Sequence, residues 1–472
     1  MSETVSIHGQ WSSRLMFILA AAGSAVGLGN IWKFPYIAGE NGGGAFVLFY
    51  LLCVAMVGLP IMMAEILIGR RGRQSPINTM RALRRAEGAS ASWVLLGWGG
   101  MAAGFLILSY YSVIAGWALA YVPRAAAGVF QGATADGVKS IFSDLIADPE
   151  RLLAWHTLFM GMTLVVVARG VRHGLERAIR FMMPLLFVLL LLLVGYAYVE
   201  GDFARGWDFL FRPDFSKLIY QCMVKDGVEQ CVLNRQPMLI ALGHAFFTLS
   251  LGMGAIMVYG SYMPKTASIT GAALLIALLD TLVALLAGLA IFPIVFANGL
   301  APDSGPGLVF KTLPLAFGAM PFGSLFGALF FVLLVFAAWS SAISLIEPAV
   351  AWMVENRGMN RVRATLWTGG IVWALGLGTI FSFNLWSGEQ YQWFGKTVFD
   401  WVDFLTANVM LPIGGLFIAL FAGWVMRKES SREELAADRF SHWLWRLVIR
   451  YITPLAVSII FLQAIGVLDS LL

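Results

Sequence analysis

Long apolar runs recur along the whole chain and short polar loops join them. About 20 apolar residues suffice to cross a bilayer as a helix. Eleven spans are expected, at about 13–37, 44–69, 93–123, 152–168, 178–200, 238–262, 268–297, 322–354, 363–383, 399–426 and 444–468. The pattern predicts an all-α polytopic membrane protein forming a single membrane domain over 1–472.

Two spans carry internal glycine clusters. The first contains Gly23-Ser24-Ala25-Val26-Gly27-Leu28-Gly29 and the sixth contains Ser250-Leu251-Gly252-Met253-Gly254. Glycine loses the most backbone entropy in a helix and favours irregular backbone. It also lets membrane helices pack closely, which is the commoner reason for one glycine pair. Recurrence five spans apart favours paired breaks at the midplane, the mark of two inverted five-helix repeats around a binding site. The repeats are expected at about 11–200 and 237–426, with an extra helix at about 444–468.

Composition removes the soluble alternatives. Apolar residues make up 59% of the 472 and charged residues 12%, against roughly 25% charged in soluble proteins. So few charges cannot cover a water-facing surface, and the bilayer is the expected partner. The net charge of +5 is not a nucleic-acid signal, because the basic residues sit in alternate loops. Arg70, Arg71, Arg73, Arg81, Arg84 and Arg85 crowd one loop, and Arg169, Arg172, Arg177 and Arg180 flank another. Arg357, Arg361 and Arg363 lie in a third, and Arg427, Lys428 and Arg432 in a fourth. Positive loops stay cytoplasmic. The N-terminus is therefore expected in the cytoplasm and the C-terminus outside. Residues 1–10 hold no basic cluster and no small-residue cleavage site ends the first run, so the first span is expected to be retained. Cys53 lies within a span, as inert packing. Cys222 and Cys231 share the external loop 201–236, where an oxidising space makes a disulfide the expectation.

Specific motifs then appear. Trp11-Ser12-Ser13-Arg14, the run Ala25 to Tyr36 (AVGLGNIWKFPY), the run Glu40 to Phe46 (ENGGGAF) and the run Ala245 to Gly254 (AFFTLSLGMG) carry them. Over about 11–425 the chain resembles the neurotransmitter:sodium symporter family. Eleven spans are similar to its bacterial branch of leucine, tyrosine and hydrophobic amino-acid transporters, placed in the inner membrane.

The resemblance implies two sodium sites. The first would use the Ala25 carbonyl, Asn30, Thr248, Asp280 and the substrate carboxylate. The second would use the carbonyls of Gly23, Val26 and Ala337 and the hydroxyls of Ser340 and Ser341. Small hard cations take several oxygen ligands. The two serines could instead bond back to their own helix. A mid-span carboxylate costs about 3 kcal/mol or more, so Asp280 needs a partner, either sodium or His244.

The implied substrate site comprises Ser24, Ala25, Gly27, Leu28, Gly29, Ile107, Tyr111, Phe247, Thr248, Ser250, Met253, Ser341, Ser344 and Leu345. Monoamine-carrying members have aspartate at the Gly27 position. Here that space is free for a carboxylate, held by the Leu28 and Gly29 amides and the Tyr111 hydroxyl. The remaining lining suits a neutral hydrophobic or aromatic side chain, and Met253 can re-pack around different shapes.

The implied outer gate is Tyr111 and Phe247 over the substrate, with Lys33 paired to Asp403. The implied inner gate uses Trp11, Tyr262 and Glu355, with His8 in place of the usual basic partner, which puts that salt bridge in question. Glu65 would brace the breaks of spans one and six. Gly174 and Pro184 match a motif linked to unwinding at the start of span five. Chloride-dependent relatives hold their anion with tyrosine, glutamine, two serines and asparagine. Here Tyr50, His244, Thr248, Asp280 and Ala284 stand there. A carboxylate and a chloride side by side would repel by several kcal/mol, so transport is expected to be chloride-independent, with Asp280 taking up a proton for the return step, shared with His244.

The expected function is sodium-coupled import of a neutral L-amino acid by alternating access, in a monomer or homodimer. Alternatives are a non-transporting sensor on the same fold, or a carrier of a small amino acid or betaine-like solute. No His-Glu-x-x-His motif or nucleophile–base pair points to an enzyme.

Overall fold

A computed structural model describes residues 7–225, 228–234, 236–302, 307–464 and 467. Among the described residues, nine helices are long and apolar enough to cross a membrane. They are Gly44–Gly72, Ala91–Ala126, Pro149–Ala168, Val171–Glu200, Ile269–Ala297, Gly323–Arg357, Arg361–Ser382, Val398–Val425 and Arg439–Gln463. Span one is a broken pair, Arg14–Ala25 and Gly29–Glu40, bent by 49°. Span six is a second interrupted pair, Gln236–Thr248 and Ala255–Ser261. All eleven expected spans are thus present, with ends shifted by a few residues.

Local chemistry sets those ends. Ser13 caps span one by accepting from the Met16 amide at 3.2 Å. Asp148 caps span four through the amides of Glu150 and Arg151, with Pro149 at the first helical position. Ser268 and Asn360 cap spans seven and nine in the same way. These side chains satisfy amides that a helix start leaves without partners.

The loops contain elements that the hydropathy pattern did not predict. Short helices lie at Pro76–Ala86, Ala135–Ala147, Phe203–Phe211, Leu313–Ala319 and Lys428–Leu435. The loop after span five forms an antiparallel hairpin of β1 (Tyr220–Lys225) and β2 (Val228–Leu233). Its register sets residue 222 opposite Cys231, and Cys231 is disulfide-bonded. The Cys222 side chain lies outside the described residues. Cys53 is free and buried.

Spans three and eight run against one another through the centre. Span two meets the second half of span six at glycine contacts. A Cβ on Gly69 would lie 1.9 Å from the Met257 carbonyl oxygen, and one on Gly260 2.9 Å from that of Ile66. Only hydrogen fits there, so the two backbones touch.

Candidate ion and substrate site

Span one leaves the helix at Val26, whose backbone turns extended (φ −65°, ψ 111°). Span six breaks over Leu249–Gly254, where Ser250, Gly252 and Gly254 all have positive φ (54°, 80° and 74°). Serine enters that region only at a cost of about 1–2 kcal/mol. Its hydroxyl donates to the Ser24 carbonyl at 2.8 Å, which ties the two breaks together. Carbonyls freed in this way would be unsatisfied in lipid and are tolerated only where they line a cavity. Glu65 accepts from the Gly252 amide at 2.6 Å. Among the described residues it braces span six only, not span one as well.

The residues expected at the first ion site converge. Asn30 Nδ2 donates to the Asp280 carboxylate at 2.8 Å and to the Asp280 carbonyl at 3.0 Å. Thr248 Oγ1 donates to the same carboxylate at 3.0 and 3.2 Å. The alternative partner fails, since neither ring nitrogen of His244 has a hydrogen-bond partner among the described residues. His244 instead packs against the rings of Phe34 and Tyr50. No Asp280–His244 contact exists through which a proton would be shared directly.

The second set also converges. Ser340 Oγ lies 3.1 Å from the Ala337 carbonyl and 3.5 Å from that of Val26. Ser341 Oγ reaches the carbonyls of Ser24, Val26 and Ala337 at 3.1, 3.2 and 3.3 Å. Both serines therefore bond back to their own helix and face span one at once. Gly23 adjoins them, because a Cβ there would lie 3.5 Å from the Ser340 Cβ and 2.9 Å from Met183 Sδ of span five. The result is a compact group of oxygens that suits a hard monovalent cation.

Between the two sets lies a small cavity lined by Ser24, Ala25, Gly27, Gly29, Ile107, Tyr111, Phe247, Ser250, Met253, Ser341 and Leu345. Three expected residues stand at its edge. Leu28 contributes its amide, which donates to the Tyr111 hydroxyl at 3.2 Å. Thr248 points to Asp280, and Ser344 accepts from Ser24 Oγ at 2.7 Å behind the wall. The free space is about 20 Å³, room for about one water. That space is too small for an amino acid.

Above it lies a vestibule of about 450 Å³ lined by Lys33, Tyr36, Tyr111, Phe247, Phe310 and Asp403 among others. Lys33 and Asp403 form no ion pair among the described residues. Lys33 Nζ sits 4.5 Å above the Phe247 ring instead, so the cavity separates the two expected outer-gate charges. The opposite face is closed. His8 Nε2 lies 3.0 Å from Glu355 Oε1, so the questioned contact is made. Glu355 also accepts from the Ser75 amide (2.7 Å), the Ser75 hydroxyl and Asn78 Nδ2 (2.8 Å). Trp11 is buried, donates its amide to the Tyr262 carbonyl at 3.1 Å and meets the Tyr262 ring edge-on.

Three pairings on this face were missed. Tyr262 donates to Glu347 Oε1 at 2.8 Å, and Arg361 pairs with Glu347 Oε2 at 2.5 Å. Ser12 donates its amide (3.1 Å) and hydroxyl (2.5 Å) to Glu176 at the start of span five. The signal for Glu347 was available, as it is a carboxylate in the apolar run 323–354. Glu176 falls in the widened turn Val171–Glu176 that contains Gly174. A Cβ on Gly174 would meet the Val166 carbonyl oxygen at 2.0 Å.

A helical bundle with two interrupted spans, a buried carboxylate and facing carbonyls and hydroxyls, closed on one side only, is built as an ion-coupled carrier. The profile of the Sodium:neurotransmitter symporter family matches residues 8–131 and 142–471, and the chain belongs to that family. An uncharacterized sodium-dependent transporter of Bacillus subtilis, YhdH, is 41% identical over 99% of this chain and 100% of its own. A sodium-dependent nutrient amino acid transporter of Drosophila mojavensis is 24% identical over 98% of this chain and 77% of its own. The crystal structure of MhsT in complex with L-phenylalanine is 44% identical, with a TM-score of 0.86 over 97% of this chain and 99% of that one. The chain is a multi-span, sodium-dependent membrane transporter and not an enzyme.

Proposed function

We propose that the protein is a symporter that uses two sodium ions to import a neutral L-amino acid with a hydrophobic or aromatic side chain. It works by alternating access and without chloride. The observation that carries the substrate class is Gly27. A Cβ there would lie 2.6 Å from Ser341 Oγ and 2.8 Å from the Tyr111 hydroxyl. With no side chain there, the Gly27 backbone, the Leu28 amide and the two hydroxyls converge, a set that suits a carboxylate at the positive end of a half-helix. The apolar lining from Ile107, Phe247, Met253 and Leu345 supports a hydrophobic side chain, as does the phenylalanine bound to MhsT.

The arginine-rich face is the cytoplasmic side of a bacterial inner membrane, so the vestibule faces outward. Thermal stabilisation by L-phenylalanine, L-leucine and L-tyrosine is expected in sodium and absent in potassium. Equal stabilisation in both salts overturns the coupling, and stabilisation only by glycine or betaine overturns the side-chain class. Counterflow in proteoliposomes distinguishes a carrier from a sensor, since only a carrier exchanges labelled for unlabelled substrate. For chloride, Asp280 supplies a fixed negative charge and Ala284 no hydroxyl donor. Uptake with gluconate replacing chloride is expected to match uptake in chloride; a large loss overturns that part.

A further inference from the structure

A second apolar cavity, of about 450 Å³, lies away from the substrate path between spans three and ten. Its concave shape comes from glycine. Gly99 on span three leaves open space where a side chain would stand, and Gly100 and Gly414 of span ten line the same hollow without side chains. Leu95, 68% exposed, and Phe417, 43% exposed, form its rims. In a chain that spans a bilayer, an apolar trough open at this level meets hydrocarbon rather than water.

The trough begins at Ser92 and Trp93, on the arginine-rich side, and runs to Gly100. Eight residues of helix give a length of about 12 Å. Trp93 at its mouth is the residue type that settles at the headgroup level. The break of span six lies directly behind two of these glycines. A Cβ on Gly414 would lie 2.7 Å from the Gly252 carbonyl oxygen, and one on Gly100 3.1 Å from the Gly254 amide nitrogen. Met253, between them, presents its other side to the substrate cavity.

We propose that this trough is a lipid site. One acyl chain of a phospholipid from the leaflet on the arginine-rich side occupies it and buttresses the broken segment of span six. The occupant is a hydrocarbon chain because the lining offers no charge and the trough runs inward from the interface. The site lies outside the transport pathway and does not depend on which amino acid is carried.

Gly99 provides the test, because a Cβ there meets nothing within 4 Å, so Gly99→Trp fills the trough without disturbing the core. Gly195, on span five, is equally open, and Gly195→Trp is the control. Full-length protein is placed in vesicles of phosphatidylcholine carrying a diazirine in its acyl chain and irradiated. Labelling is expected at 95–100 and 409–417 in wild type and Gly195→Trp, and is lost in Gly99→Trp. Absent labelling in wild type or persistent labelling in Gly99→Trp overturns the site. Hydrogen exchange over 249–254 reads the buttress. In wild type it slows when phosphatidylcholine is added to delipidated protein. In Gly99→Trp it is already slow without lipid. Exchange that ignores lipid in wild type overturns the buttress. No substrate is used, so these results stand apart from the test of amino-acid transport.

Discussion

The side-chain amide of Asn30 donates to both the carboxylate and the backbone carbonyl of Asp280, at 2.8 and 3.0 Å. One residue from the broken span thereby locks the only described carboxylate of span seven, with Thr248 of span six completing the set. Asp280→Asn keeps the shape and removes the charge. Hydrogen bonds and ion contacts to a charged group contribute about 1.5–3 kcal/mol, so sodium binding is expected to weaken roughly thirtyfold. The half-saturating sodium concentration for substrate-induced thermal stabilisation measures this. An unchanged value removes Asp280 from the ion site.

Gly27→Ala places a methyl group between Ser341 and Tyr111. Overpacking costs about 1–3 kcal/mol, and here it falls on the bound carboxylate. Substrate affinity is expected to drop about tenfold with the fold intact. Gly243→Ala, which meets no atom within 4 Å, should bind substrate normally. Normal binding by Gly27→Ala as well shows that the carboxylate lies elsewhere.

The His8–Glu355 contact is an ion pair only when the imidazole is protonated. Removing that contact is expected to loosen the inner gate. Ser261→Cys, at a buried position, is expected to react faster with a polar thiol reagent when combined with His8→Ala and to stay slow when combined with His8→Arg. Equal labelling rates in all three proteins rule out His8 as part of the gate.

Glu347 is fully buried beneath Arg361 and Tyr262. Removing one partner of a buried pair leaves an uncompensated charge and costs about 3–5 kcal/mol. Arg361→Met should lower the thermal midpoint sharply, and the double variant Arg361→Met with Glu347→Leu should recover much of the loss. Equal midpoints for the single variant and wild type would show that the pair contributes nothing.

The hairpin register sets residue 222 opposite Cys231. Alkylation of unreduced protein followed by intact-mass analysis should add one label, at Cys53 after unfolding, and three after reduction, since the chain has three cysteines. Three labels without reduction would exclude the Cys222–Cys231 bond.

The sequence by itself determined the eleven spans, their alternating loop charge and the two glycine-rich breaks. These are linear properties: hydropathy over about 20 residues decides what the bilayer accepts, and glycine clusters weaken a helix wherever they stand. It also marked Asn30, Thr248, Asp280, Ser340 and Ser341, because the family motif fixes residue types along the chain. What only the tertiary structure decided was which polar groups meet. Asp280 could have paired with His244 or with Asn30, and the packing of spans one, six and seven chose Asn30 and Thr248. Lys33 and Asp403 have opposite charges, yet they line one vestibule without pairing. Glu347 and Arg361 are 14 residues apart and meet only because the chain turns between spans eight and nine. The trough on span three is equally invisible along the chain. Its walls belong to spans three and ten, with the break of span six behind Gly100 and Gly414, and no periodicity relates residues that only folding makes neighbours.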